Sequence, residues 1–117
     1  LDGERFAKIR EAATQQGPAS APGICLDCHL AWFEAVKHWP ILKHLNAQSQ
    51  SSVLYDLVAV YLGFAEDLLV MEDLPVLVTP DGKTMIDDSG DNVRCATSWQ
   101  DKHAFLDLVT ERLAISG

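Results

Sequence analysis

Cys25-Leu26-Asp27-Cys28-His29 holds the residue types and spacing that carry chemistry most directly in this sequence. Two cysteines separated by two residues come one turn apart if the segment is helical. One sulfur then stands close enough to resolve a mixed disulfide formed by the other. The run Gly17 to Gly23 holds two prolines and two glycines and predicts a loop. After it, Cys28, Trp32, Val36 and Trp39 recur at helical spacing and predict a helix from Cys25 to about Trp39. On that reading the pair opens the helix. The unpaired N–H groups of a helix start carry partial positive charge, which stabilises a thiolate and makes Cys25 the better nucleophile.

Other chemistries use the same residues. Cys25-Leu26-Asp27-Cys28-His29 is also the haem-attachment pattern, with Met71 or Met85 available as a second axial ligand. Cys25, Cys28 and Cys95 with His29 or His103 would make a zinc set, although Cys95 and His103 stand wider apart than in compact fingers. The plainest reading is three reduced, partly buried thiols packed as small hydrophobes. Dithiol redox chemistry leads, with no metal and no cofactor expected. His38 and His44 are expected on a solvated helix face beside Lys37 and Lys43. His103 is expected on the surface of the last helix, and Trp32, Trp39 and Trp99 are expected in packing. The oxygen-rich run Asp87 to Asn92 lacks the spaced ligands and terminal glutamate of a calcium loop and reads as solvated.

The elements that must position the pair follow from periodicity. Phe6, Ile9 and Ala13 form one stripe and predict a helix over residues 1–16, with residues 17–24 as a Pro/Gly loop. Pro40 ends or kinks the cysteine-bearing helix, and Ile41 to Leu45 continues it for about a turn. Val53, Tyr55, Val58, Val60 and Tyr61 favour a strand over Leu57 to Leu62, followed by a short helix from Ala65 to Met71. Ser52, Asp56, Ala59, Gly63 and Asp67 fall at helical spacing and leave an amphipathic helix as the alternative. Leu74 to Thr79 is a strand entered through Pro75, Pro80 to Lys83 is a turn, and Thr84 to Ile86 is the returning arm. Val93 to Cys95 extends the sheet, and Ser98 caps a last helix whose face includes Trp99, Leu106, Val109 and Leu113.

In this order the elements resemble the thioredoxin-like superfamily: Cys-x-x-Cys opening a helix, a strand, a short helix, a proline-led strand, a hairpin and a terminal helix. Cys28 and Pro75 lie 47 positions apart, similar to the family's spacing between active-site helix and cis-proline. Leu74-Pro75-Val76-Leu77-Val78, followed by Asp81-Gly82, looks like the family's cis-Pro strand and hairpin. The resemblance covers about residues 24–115. It implies an α/β fold with a small central sheet flanked by helices, here with an added N-terminal helix. It also implies Cys25 as attacking thiol, Cys28 as resolving thiol, and Leu74 and Pro75 on the substrate side of the pair. The family's strand and aromatic residue before the first cysteine have no counterpart, since Gly23-Ile24 stands there.

At 117 residues, 48% hydrophobic and 22% charged, the chain suits one domain with one core that needs no staple. A net charge of −8 repels phosphate backbones and anionic lipid, so nucleic acid and membrane surfaces are not expected partners. A cationic protein partner is the charge-complementary one. Val53 to Met71 is interrupted by Asp56, Gly63, Glu66 and Asp67, which argues against a spanning helix. The first residues have neither the basic start nor the apolar run of a signal peptide, and an odd number of cysteines, three, argues against a disulfide framework. A cytoplasmic setting is the expectation. Two functions remain in view: a thiol–disulfide redox protein, and a non-catalytic acidic binding module (adaptor, chaperone or inhibitor) on the same scaffold.

Overall fold

The computed structural model describes residues 1–115. The elements are α1 (Gly3–Gln16), α2 (Ala21–Val36), α3 (Tyr55–Leu62), β1 (Leu69–Val78), β2 (Thr84–Ile86), β3 (Asp91–Trp99) and α4 (Lys102–Ala114), with a 3-10 turn at Pro40–Leu42. The protein is thus mixed α/β, with four α-helices and a three-stranded antiparallel sheet among the described residues. The chain forms two compact units. One is Leu1–Val60 with the segment from His103 onward, and the other is Tyr61–Lys102.

The first unit is helical. Along α1, Phe6, Ile9, Ala12 and Ala13 are buried, as their spacing of three and four residues requires of one helix face. Gly17 ends the helix at φ 89°, a conformation that suits a residue without Cβ, and its N–H reaches the Ala13 carbonyl at 2.9 Å. From α4, Phe105, Val109 and Thr110 are buried. Arg5 Nε donates to Asp107 Oδ1 at 2.7 Å, and Gln16 Nε2 donates to the Ala114 carbonyl at 2.9 Å, so α1 and α4 are tied near both ends. The loop before α3 is tied to the N-terminal residues: the Leu1 amine donates to Ser51 Oγ at 2.7 Å and Ser51 N–H to the Leu1 carbonyl at 2.8 Å.

Residues Leu57 to Leu62, expected as a strand, belong to helix α3. Tyr61 is buried and Leu54, Leu57 and Val58 are half-buried, while Tyr55, Asp56, Ala59 and Val60 are exposed. That stripe at 54, 57, 58 and 61 has helical period, and it outweighs the weak strand preference of valine and tyrosine. The helix expected over Ala65 to Met71 is absent; a turn occupies 67–68 and β1 begins at Leu69. Likewise α2 stops at Val36, so His38, Trp39 and His44 lie in turns beyond it, and Ile41 to Leu45 adds only the 3-10 turn.

The second unit is a meander of order β2-β1-β3. The turn expected at Pro80 to Lys83 joins β1 to β2, with Thr79 N–H on the Lys83 carbonyl at 2.9 Å. β3 is much longer than the expected Val93 to Cys95. It pairs with β1 from Leu69↔Trp99 to Val76↔Asp91 and carries one extra residue, Thr97, opposite the Val70/Met71 step. Ser98 and Trp99 therefore lie in a strand, not at the head of the last helix, which starts at Lys102. Their partners, Val70 and Leu69, are nearly thirty positions away, beyond the reach of a local capping rule. Arg94 closes a bidentate pair on Glu66, Nε to Oε2 at 3.0 Å and Nη2 to Oε1 at 2.6 Å.

Candidate functional site

The start of α2 sets the position of the cysteines. Ser20 is the N-cap: its Oγ accepts from Gly23 N–H at 3.2 Å and donates to the Gly17 carbonyl at 2.6 Å. Pro22 sits in the first turn, where its missing N–H leaves no bond unmade. Gly23 is buried against the incoming loop, and a Cβ there would collide with the Gly17 carbonyl oxygen. The loop expected over residues 17–24 is thus short, because serine, proline and glycine here build a helix start.

That placement corrects the expectation that Cys25 opens the helix. Cys25 begins the second turn of α2, four residues after Ala21, and Cys28 lies one turn further on. The field of the free N–H groups falls off within the first turn, so the cysteines lie past its main reach. Both thiols are free and exposed. Their three-residue spacing puts them on neighbouring positions of one helix face.

Both border an apolar cleft of about 470 Å³ in the first unit. Phe6 and Ile9 of α1, Leu26 and Trp32 of α2, and Leu54 and Leu57 contribute to its walls. This volume lies in the range of small-ligand and side-chain pockets. His29, half-buried on the same face, has Nε2 at 2.9 Å from the Ala47 carbonyl oxygen. A carbonyl only accepts, so Nε2 carries the proton in this contact. The imidazole meets the Phe6 ring edge-on at 5.6 Å and stacks on Trp32 at 6.4 Å. Asp56, exposed, adds a carboxylate to the cleft, and exposed Asp27 stands between the cysteines.

The remaining candidates are placed elsewhere. Leu74 and Pro75 lie within β1 of the second unit, opposite Val93 and Asn92, so Pro75 is inside a strand and not at its entry. The Leu74–Pro75 peptide is trans, where the family resemblance implies cis. Cys95 is on β3 and half-buried, its thiol directed to the Val93 carbonyl at 3.4 Å. Among the described residues no three histidine, cysteine or acidic side chains are gathered closely enough to hold a metal ion, so the zinc set is not assembled. Met71 and Met85 are on β1 and β2. Among the described residues no helix is long and apolar enough to cross a membrane.

Titrating groups are perturbed away from the cleft. In the first unit, the Arg5 guanidinium holds the Asp107 carboxyl below the usual range through its hydrogen bond. In the second, Arg94 does the same for Glu66, the Thr79 hydroxyl for Asp81, and the Ser89 hydroxyl for Asp87. Burial, aided by a 2.6 Å hydrogen bond to Asp67, pushes the Tyr61 phenol up.

Sequence reasoning found the two cysteines and the α1 stripe but missed the cleft between them. The signal was present: Leu54 and Leu57 join the helical stripe that a strand assignment obscures. Comparison with protein-family models, with curated proteins and with solved structures finds no match.

Proposed function

We propose that this protein is a thiol–disulfide exchange protein that docks an apolar segment of a protein partner beside α2 and exchanges disulfide with it through Cys25 and Cys28. The observation that carries the reading is that both thiols are exposed on one helix face and border the same apolar cleft. A docked segment brings its disulfide against two nucleophiles without further ordering, which lowers the entropic cost of attack. The Cys25 thiolate attacks one partner sulfur. The partner's S–S bond breaks, a mixed disulfide forms, and the other partner sulfur leaves as a thiolate. Cys28 then attacks Cys25 Sγ and releases the second partner sulfur. Two electrons pass to the partner, and the two thiol protons end on its sulfurs.

The partner segment is apolar with lysine or arginine flanks, because the chain carries net charge −8 and Asp27 and Asp56 stand at the thiols and the cleft. Support for a thioredoxin-like relationship is the order of Cys-x-x-Cys helix, Pro75-bearing strand, hairpin and terminal helix; the exchange reading does not depend on it.

The test is turnover of a disulfide-bonded model peptide with apolar and lysine residues, in the presence of a reductant. Cys25→Ser and Cys28→Ser should each lower turnover at least tenfold, with Cys28→Ser trapping a mixed disulfide on Cys25. Full turnover by either variant sinks the proposal. The second reading, a non-catalytic binding module, is favoured by the placement of both thiols beyond the first turn of α2. It requires a reduced form of that peptide to bind Cys25→Ser as tightly as it binds the unaltered protein, with no exchange by either.

A further inference from the structure

We infer that Cys25 and Cys28 form a two-coordinate site for a soft d10 cation, Cu(I), held by two thiolates on α2. The inference uses the same two sulfurs as the exchange reading but stands on different geometry. Side chains three apart on a regular helix have Cβ atoms about 5–6 Å apart. A disulfide draws them to about 3.5–4.5 Å, so closing one within the second and third turns of α2 must tighten that stretch locally. A bridging ion need not. Metal–sulfur bonds of about 2.3 Å let two sulfurs share one ion while standing roughly 4–5 Å apart, which the undistorted spacing accommodates.

The surroundings select the ion. Zinc in a structural site takes four ligands, and among the described residues no third or fourth donor is gathered with the cysteines. His29 is the nearest in sequence; its ring is held between Phe6 and Trp32 with Nε2 on the Ala47 carbonyl, and it is not gathered with the two thiols into a ligand set. Two thiolates alone satisfy Cu(I), whose preference is for soft sulfur donors and which carries no demand for a tetrahedral shell. Both thiols are exposed, so the ion has an entry path. On binding, each thiol gives up its proton to solvent and no electron moves.

The experiment is anaerobic titration of the fully reduced protein with Cu(I) held by bicinchoninate, read as colour lost from the chelate. The unaltered protein and Cys95→Ser should each withdraw one equivalent with affinities within twofold of one another. Cys25→Ser and Cys28→Ser should each weaken retention at least a hundredfold, with unchanged helical circular dichroism. His29→Ala should stay within threefold. Retention by either single cysteine variant, a hundredfold loss in His29→Ala, or Zn(II) bound as tightly as Cu(I) under matched competition overturns the inference. Peptide-disulfide turnover on the same samples separates the two readings, since copper retention without turnover removes only exchange, and turnover without copper retention removes only this site.

Discussion

Phe6 joins the core of the first unit to the functional face. It is 4% exposed, and its ring is the edge-on neighbour of His29. Truncating it removes packing from under the imidazole and leaves a void where α1 meets α2. Phe6→Ala should therefore cost about 3–5 kcal/mol in urea unfolding, a large share of the stability of a chain this size. Trp32→Ala, at a 37% exposed position, should cost visibly less, and the contrast separates support of the cleft from mere lining of it. At this scale the sequence was legible where one helix supplied the pattern. Phe6 and Ile9 announce a buried stripe, and Cys25 and Cys28 announce a pair. The Ala47 carbonyl that orients His29 was not legible, because a backbone acceptor 18 positions away has no signature in residue type.

At the scale of elements, α2 is decided by its first turn. Gly23 lies where the loop from Gly17 crosses the helix, and the atoms a new Cβ would meet, the Gly17 oxygen and Pro18 Cα at 2.9 Å, are both backbone. Neither yields by a rotamer change. Gly23→Ala should therefore destabilise by about 1–3 kcal/mol and shift the helix start relative to the cysteines, read as a lower urea midpoint. Ser20→Ala, which removes only the cap, should cost about 1 kcal/mol. The same turn shows why the boundary misled. Proline and glycine usually punctuate loops, yet proline in the first helical turn and glycine under a crossing chain are consistent with helix. In α3 the balance is opposite: valine and tyrosine favour strand, but the helical period of the buried stripe prevails. β3 was foreshortened because its length is set by β1, and strand pairing is a long-range fact.

At the scale of the whole molecule, acidity sets the response to pH. Asp107, Glu66, Asp81 and Asp87 all have carboxyls held below the usual range by hydrogen bonds in the folded chain. A depressed folded value means that the unfolded chain binds protons more readily. The stabilisation is thus present above the ordinary carboxylate range near pH 4 and is lost as pH falls through the lower folded values. Asp107, Glu66 and Asp81 are exposed and Asp87 is half-buried, so the loss should be gradual and partly screened by salt. Thermal midpoints should hold steady from pH 7 to about 5 and fall below about pH 4. Arg94→Gln should make the decline shallower by removing the partner that depresses Glu66, and an unaltered acid limb in that variant contradicts the assignment. Composition makes the acidity plain, whereas the Arg94–Glu66 and Arg5–Asp107 pairs join residues 28 and 102 positions apart and need the fold to be known.

The extra residue at Thr97 also limits how the sheet can go wrong. Two strands with equal counts can slide past each other by a step and re-form every bond, but β1 and β3 are unequal over their paired length. Any slip must first relocate the surplus residue, so misthreaded pairings are separated from the native one by a defect that has to migrate. The irregularity works as a lock on alignment, and a chain lacking Thr97 would be free to drift.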